Sequence, residues 1–323
     1  MTKYIIRRFL ISIPVILAMI LVTFAMIQAL PGGPFDNVGE RAMPEQIRLL
    51  LERRYGLDKP LYEQFFNYVV NLAQGDFGPL LRSTSQDVND VVAQTFPVSI
   101  QLGLLSLTLA FTIGIPAGVI AALKHNSLID HGATFLAVLG VSIPNLVLGP
   151  LLILIFGVYL DWLPIAFWGA DPPFILGFLP RPTLEFWTHA ILPTFTLGTA
   201  LSAVVARLTR AGLLDVLNED YIRTARAKGL KETLVINRHA LKNSLIPVVT
   251  LLGPLLASVV TGSLITELIF ALNGMGRQFV GSVQSREYFL LTSLTLIYGV
   301  LLISGNLLVD VMYAWLDPRI RYD

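Results

Sequence analysis

The 323-residue chain is 54% hydrophobic and only 14% charged, with 23 basic against 22 acidic residues, a formal net charge of +1 and no cysteine. Soluble chains carry about a quarter charged residues, so an ordinary soluble domain is excluded, and the apolar excess excludes disorder as well. Without cysteine there is no disulfide framework or cysteine-ligated metal, the balanced charge leaves no footprint for nucleic acid, and a membrane protein remains.

Six apolar stretches run roughly over 9–30, 98–123, 133–160, 190–208, 245–270 and 289–316. Each approaches or exceeds the roughly 20 residues that a helix needs to cross a bilayer. Lys3, Arg7 and Arg8 before the first stretch have the look of a signal peptide. The apolar run that follows is too long for one and lacks a small-x-small cleavage site, so it is read as a retained span. Pro14, Pro116, Pro144 and Pro254 fall inside spans, where such breaks are tolerated. With the N-terminus inside, the inner segments hold 14 of the 23 Lys and Arg, eight of them between Arg207 and Lys242. The positive-inside rule then puts both termini in the cytoplasm.

Two connecting segments exceed simple turns. The outer one, 31–97, opens with the turn Pro31-Gly32-Gly33-Pro34. A helix is predicted over 44–55, started by Pro44, stopped by Gly56 and carrying Ile47, Leu50 and Leu51 on one face; a second is predicted over 61–72. The other outer loop, 161–189, is rich in Pro and Trp and is expected to lie along the membrane interface. On the inner side, 209–244 places Leu214, Leu217, Tyr221 and Ala225 at helical spacing, with Arg223, Arg226 and Lys228 largely off that stripe. Gly229 stands where a glycine would end this helix, and a second helical run covers 231–241. The pattern describes a compact basic knob, and equally a positive-inside loop on anionic lipid.

Catalytic patterns are missing. The sequence has no G-x-x-x-x-G-K-[ST] phosphate loop and no H-E-x-x-H zinc motif. His125, His131, His189 and His239 all fall at span ends or in loops. Asp310 is the one aspartate inside a span, near its inner end, where pairing with a basic group is favoured. A membrane-embedded enzyme is therefore the weaker reading. Polar residues at depth are candidates for function. Ser142, Pro144 and Asn145 break the third span near its middle and either line a pathway or bond a neighbouring helix. Glu267, towards the outer end of the fifth span, is either a gate residue or an interfacial carboxylate paired with Arg277, the second being favoured. Gly253-Pro254 marks a kink.

At the knob the sequence becomes recognisable. Asp220-Tyr221-Ile222-Arg223-Thr224-Ala225-Arg226-Ala227-Lys228-Gly229-Leu230, then His239-Ala240-Leu241-Lys242-Asn243 and Pro247, resembles the cytoplasmic loop signature of ABC importer permeases in their peptide (oligopeptide, dipeptide, nickel) branch. Asp317-Pro318-Arg319-Ile320-Arg321-Tyr322, Tyr55-Gly56-Leu57-Asp58, Gly75-Asp76-Phe77-Gly78 and Phe96-Pro97-Val98-Ser99 match in order along the chain. The long outer segment is similar to that of the B-type component of oligopeptide permeases. Arg223-Thr224-Ala225 stands where the wider signature has Glu-Ala-Ala, and Asn273-Gly274 where the family usually has Pro-Gly.

This resemblance implies an all-α polytopic membrane protein with six transmembrane helices and cytoplasmic termini. Residues 1–30 would hold the N-terminal segment and first span, 31–97 a small extracytoplasmic helical subdomain, and 98–323 a five-helix core with the coupling loop 209–244. Asp220, Tyr221, Arg223, Thr224, Ala225, Arg226, Ala227, Lys228 and Gly229 would contact an ATPase, small Ala225 and Ala227 permitting close approach. Ser142, Asn145 and Glu267 would line or gate the pathway. The implied partners are a second homologous permease, two ATPase subunits, an extracytoplasmic substrate-binding protein and the lipid bilayer, with no nucleic acid. No cofactor or metal is expected in this chain, ATP and Mg being held by the ATPases. The expected place is the cytoplasmic (inner) membrane of a bacterium or archaeon. Oligopeptides are the expected cargo, with dipeptides, nickel chelates or another small solute as the alternative.

Overall fold

The computed structural model describes residues 2–29, 35, 45–81, 83, 85–170, 172, 174–260 and 263–316, the side chains of 2–5, 260 and 310–316 excepted. The turn at Pro31–Pro34, the Pro44 helix start, the Asp310 side chain and the terminal Asp317–Tyr322 motif lie outside the described residues. What is described is helical, with no β-strand beyond isolated bridges. Five helices are long and apolar enough to cross a membrane, or six if one bent pair counts as a single span.

Helix α1 (Thr2–Gln28) is followed by the short α2 (Glu45–Arg54) and α3 (Leu61–Ala73). The long α4 (Val88–Leu123) begins with a capping box in which Asp87 and Asp90 satisfy each other's backbone N–H groups. The third span is α5 (Leu128–Ser142) and α6 (Asn145–Leu152), the latter running on as a π-helical stretch, Ile153–Tyr159. The two arms meet at 99°. Pro144 is the cause: it disfavours helix at Ile143, which is extended (ψ 113), and opens α6 as its cap residue. The break expected at Ser142, Pro144 and Asn145 in the third span is thus present.

Helix α7 (Leu184–Leu217) starts at Thr183, whose side chain accepts from the Phe186 N–H. It runs well beyond its membrane part to the knob. There α8 (Asp220–Ala227), α9 (Glu232–Leu234), a π-helical turn Val235–Ala240 and α10 (Leu241–Ser244) follow. The fifth span is α11 (Ile246–Val260) with α12 (Leu264–Ile269); α13 (Met275–Ser285) follows, and α14 (Tyr288–Leu316) closes the bundle.

Packing centres on α4 against α7. Gly114 and Gly118, one turn apart, let the two backbones close up: a Cβ at either would collide with the Ser202 or Ala206 carbonyl. Such small-residue contacts are what hold helices together in lipid, where burial of apolar surface gives little. Helix α1 packs chiefly on α14 and leaves Phe9, Leu10, Val22 and Met26 more than half exposed. At the end of the bundle away from the knob, α3 is bolted to the start of α14. The Tyr68 hydroxyl donates to Ser293 Oγ at 2.9 Å, Ser293 donates to the Phe77 carbonyl at 3.2 Å, and the Leu81 N–H donates to Glu287 Oε2 at 2.8 Å.

The loop after Tyr159 folds back on the helices and buries Trp168 at 5% exposure, while Trp162 and Trp187 stay exposed. Gln101 on α4 is the reason. Its Oε1 accepts from the Trp168 indole N–H and its Nε2 donates to the Phe178 carbonyl, both at 2.6 Å, so the indole and the amide satisfy each other inside the protein.

Candidate functional site

The knob at 209–244 is built by two breaks. Helix α7 stops at Leu217, Asn218 caps it, and Glu219 turns extended (ψ 148), so α8 starts afresh in direction and phase. The stripe predicted through Leu214, Leu217, Tyr221 and Ala225 does not survive this break. Ile222 and Ala225 are buried, at 0% and 6% exposure, and Tyr221 is 40% exposed. Ile222 and Ala225 pack on Ala122, Leu213, Val235 and Ala240, a small core that fixes the knob to α4 and α7. Ala225 therefore allows close approach to the chain's own core rather than to a partner.

The other predicted residues face outward. Asp220, Tyr221, Arg223, Thr224, Arg226, Ala227, Lys228 and Gly229 are all exposed. Gly229 takes φ +75, the left-handed region that ends a helix without a Cβ penalty, and its N–H donates to the Arg226 carbonyl at 2.9 Å. Arg226 grips Glu232 across this corner through Nη2 at 2.7 Å and Nε at 3.2 Å. That guanidinium holds the Glu232 carboxyl below its ordinary range and is itself raised by it. Asn243 Nδ2 donates to the Tyr221 hydroxyl at 2.9 Å, tying α8 to α10. Arg223 makes only a 3.3 Å contact with Asp220, itself almost fully exposed. The knob is rigid at its base, and it presents Arg223, Thr224, Ala227 and Lys228 to whatever lies beneath.

Behind the knob stands a brace that the sequence reading missed. Asp130, with 1% of its side chain exposed, accepts from Arg210 Nε at 2.6 Å and from Nη2 at 2.7 Å; the Asn126 N–H donates to it at 3.0 Å. This two-pronged pair joins α5 to α7 two turns before α7 ends. His125 Nδ1 lies 3.3 Å from both the carboxylate and the guanidinium. A signal existed in the sequence, since an aspartate opening a span three residues after a Ser cap demands a partner. The 80 residues separating it from Arg210 hid which one.

The mid-membrane candidates divide. Ser142 is exposed and Asn145 half-buried on either side of the break, and neither side chain has a hydrogen-bond partner among the described residues. Glu267, by contrast, is completely buried. Its Oε1 accepts from Ser99 Oγ at 2.8 Å and its Oε2 from the Arg277 backbone N–H at 2.9 Å, while Ser99 Oγ accepts from the Met275 N–H at 2.8 Å. The expected interfacial pairing with the Arg277 side chain is replaced by a clasp on backbone. The chain turns back at 270–276, so the first N–H groups of α13 point at the carboxylate, a favourable place for negative charge. Gly274 and Gly276 leave the room: a Cβ at Gly274 would strike the Glu267 carboxylate. The Asn273-Gly274 turn is thus part of the clasp. Among the described residues no group of three His, Asp or Glu could hold a metal ion.

Comparison with known proteins decides the family. Residues 114–322 match the family described as binding-protein-dependent transport system inner membrane component, and residues 1–103 match its N-terminal membrane component region. The chain belongs to this family. The knob, the brace and the clasp all fall in the first-named match apart from Ser99, which lies in the second. The chain is 40% identical over 322 residues to the oligopeptide transport system permease protein OppB of Haemophilus influenzae, covering 100% of both. It is 43% identical over 322 residues to the protein of the same name in Escherichia coli, again covering 100% of both. The dipeptide transport system permease protein DppB of Bacillus subtilis is 42% identical over 321 residues, 99% of this chain and 98% of that one. In fold, the chain resembles a structure described as inward facing conformations of the MetNI methionine ABC transporter. The TM-score is 0.51 at 15% identity, over 68% of this chain and 93% of that chain. Membership of this transport family and the long apolar helices make it a multi-pass membrane protein.

Proposed function

We propose that the chain is one permease subunit of an ATP-driven importer that carries peptides, oligopeptides foremost, across the inner membrane of a bacterium or archaeon. The observation that carries this reading is the knob. A helix, Asp220–Ala227, is anchored by Ile222 and Ala225 and offers its remaining residues outward with few internal partners. That is the shape of a coupling element: rigid towards the spans, open towards a partner. Full-length relatives named as oligopeptide and dipeptide permeases support the cargo class.

In this reading both termini and the knob face the cytoplasm. The knob docks in a groove of one of two ATPase subunits, which hold ATP and Mg, and this chain is non-catalytic. A second, homologous permease completes the pathway. Residues 1–30 carry the first span, 98–323 form the core, and the outer 31–97 segment meets the substrate-binding protein. ATP-driven closure of the ATPases moves the knob, and the Arg210–Asp130 brace passes the movement from α7 to α5 and so towards the break at Ser142–Asn145. Unpartnered Ser142 and Asn145 line the pathway, since polar side chains at depth face protein or water rather than lipid. Glu267 holds the outer turn that gates it. The test is reconstitution of this chain with a second permease, the ATPases and the binding protein in liposomes. Peptide accumulation should require ATP and every component; accumulation without ATP overturns the reading.

A further inference from the structure

The inward fold of the outer loop leaves a cavity of about 810 Å³ at the outer end of the bundle. That is within the range of small-molecule sites, about 300–1,000 Å³. Its floor is apolar, formed by Val98, Trp168 and Phe174 above the main hydrophobic core. Gln94 of α4 and Asn273 of the Glu267 clasp flank it, and Arg181 and Glu185 stand at its rim.

The walls of this cavity are fixed. Trp168 is held through Gln101, and the Phe167 N–H donates to the Phe270 carbonyl at 2.9 Å, joining the loop to the turn after α12. Gly169, at φ +67, brings the backbone so close to α7 that a Cβ would collide with the Glu185 carbonyl and the His189 ring. The rim, by contrast, carries exposed charge. Arg181 and Glu185, four positions apart across the start of α7, make neither an ion pair nor a side-chain hydrogen bond among the described residues. Among the described residues, one unpaired cation and one unpaired anion thus sit over an apolar floor flanked by two side-chain amides.

We propose that this cavity is a transient binding site for the free peptide, a step that rests on the peptide-importer reading. The peptide's carboxylate lies against the Arg181 guanidinium, a geometry suited to two parallel hydrogen bonds. Its ammonium lies against Glu185, its backbone amides meet Gln94 and Asn273, and its side chains cover Phe174 and Trp168. The cavity's size, within the small-molecule range, and the two opposite charges at its rim suit a small zwitterion. Because Asn273 and Phe270 belong to the turn that Glu267 holds, the clasp also sets the shape of this site.

The experiment is photolabelling of the complete permease–ATPase complex, without binding protein, using a tripeptide with free termini and a diazirine side chain. Label should map to the 161–189 loop. Free trialanine should compete with it, and N-acetylated, C-amidated trialanine should not. Arg181→Ala and Glu185→Gln should each reduce labelling about tenfold, the factor of one charge-assisted hydrogen bond. Label elsewhere, or equal competition by the blocked peptide, overturns the site. Uptake by the wild-type importer with its binding protein is measured alongside. Failure of that uptake sinks the peptide reading itself, whereas normal uptake with unlabelled 161–189 sinks only the site.

Discussion

Gly229 separates a partner's demand from the chain's own. It stands at φ +75, and nothing lies within 4 Å of the position its Cβ would take. A side chain there meets no atom of this protein. The intrinsic cost is that of left-handed backbone, about 1–2 kcal/mol for an ordinary L-residue and less for asparagine, which visits that region readily. Such strain on an exposed corner, behind a helix anchored by fully buried Ile222, leaves the chain folded in the membrane. Gly229→Ala, Gly229→Asn and Gly229→Trp should all reach wild-type membrane levels. Their activities then discriminate. If the open space belongs to an ATPase groove, ATP-dependent uptake in proteoliposomes falls with side-chain size: Ala retains most, Asn less and Trp none. If strain were the cause, Asn would outperform Ala. Uptake by Gly229→Trp within about twofold of wild type would refute the docking argument.

Three further outcomes follow from the same geometry. Asp130→Ala strands the Arg210 guanidinium, and breaking a buried pair costs about 3–5 kcal/mol; with 28% of the Arg210 side chain exposed, the lower end is expected. Thermal unfolding of the purified complex should show that loss, with Asp130→Ala/Arg210→Ala recovering part of it; a silent single variant contradicts the brace. Ser99→Ala removes the acceptor of the Met275 N–H and a donor to Glu267, stranding buried groups at about 1–3 kcal/mol each. Lowered thermal stability together with reduced uptake is expected, and unchanged values for both would dismiss the clasp. Burial pushes the Tyr68 phenol up to about 12. With its folded value above the ordinary value near 10, its contribution to seating α3 on α14 is whole below about pH 10 and is lost as pH rises through about 12. Protease cleavage within 61–81 should increase over that window and lose the dependence in Tyr68→Phe; cleavage that is flat with pH in the wild type argues against it.

Much of this was written plainly in the sequence. Spans are legible because lipid demands about 20 apolar residues, and Gly229 because few residues other than glycine end a helix at positive φ. Residues 45–54 and 61–73 are helical within a residue or two of expectation. What stayed hidden depends on where the chain changes direction. The break at Asn218–Glu219 resets the helical phase, so Ile222 rather than Tyr221 faces the core. The turn at 270–276 points backbone N–H groups, not the Arg277 side chain, at Glu267. Arg210 and Asp130 meet only because α7 and α5 pack together. Trp168 is buried because Gln101, 67 residues earlier, accepts from its indole. Local pattern carries the spans and the knob, and tertiary pairing carries the brace, the clasp and the outer cavity.

Contact between α8 and an ATPase can be tested directly, and the composition helps. The chain has no cysteine, so Ala227→Cys, at an exposed position on α8, gives this subunit a single attachment point, to be labelled with a benzophenone maleimide on the purified chain before the importer is reconstituted. A crosslink should form to an ATPase subunit, with a yield that changes when a non-hydrolysable ATP analogue is added. An importer that still takes up peptide but gives no ATPase adduct from this position would contradict it.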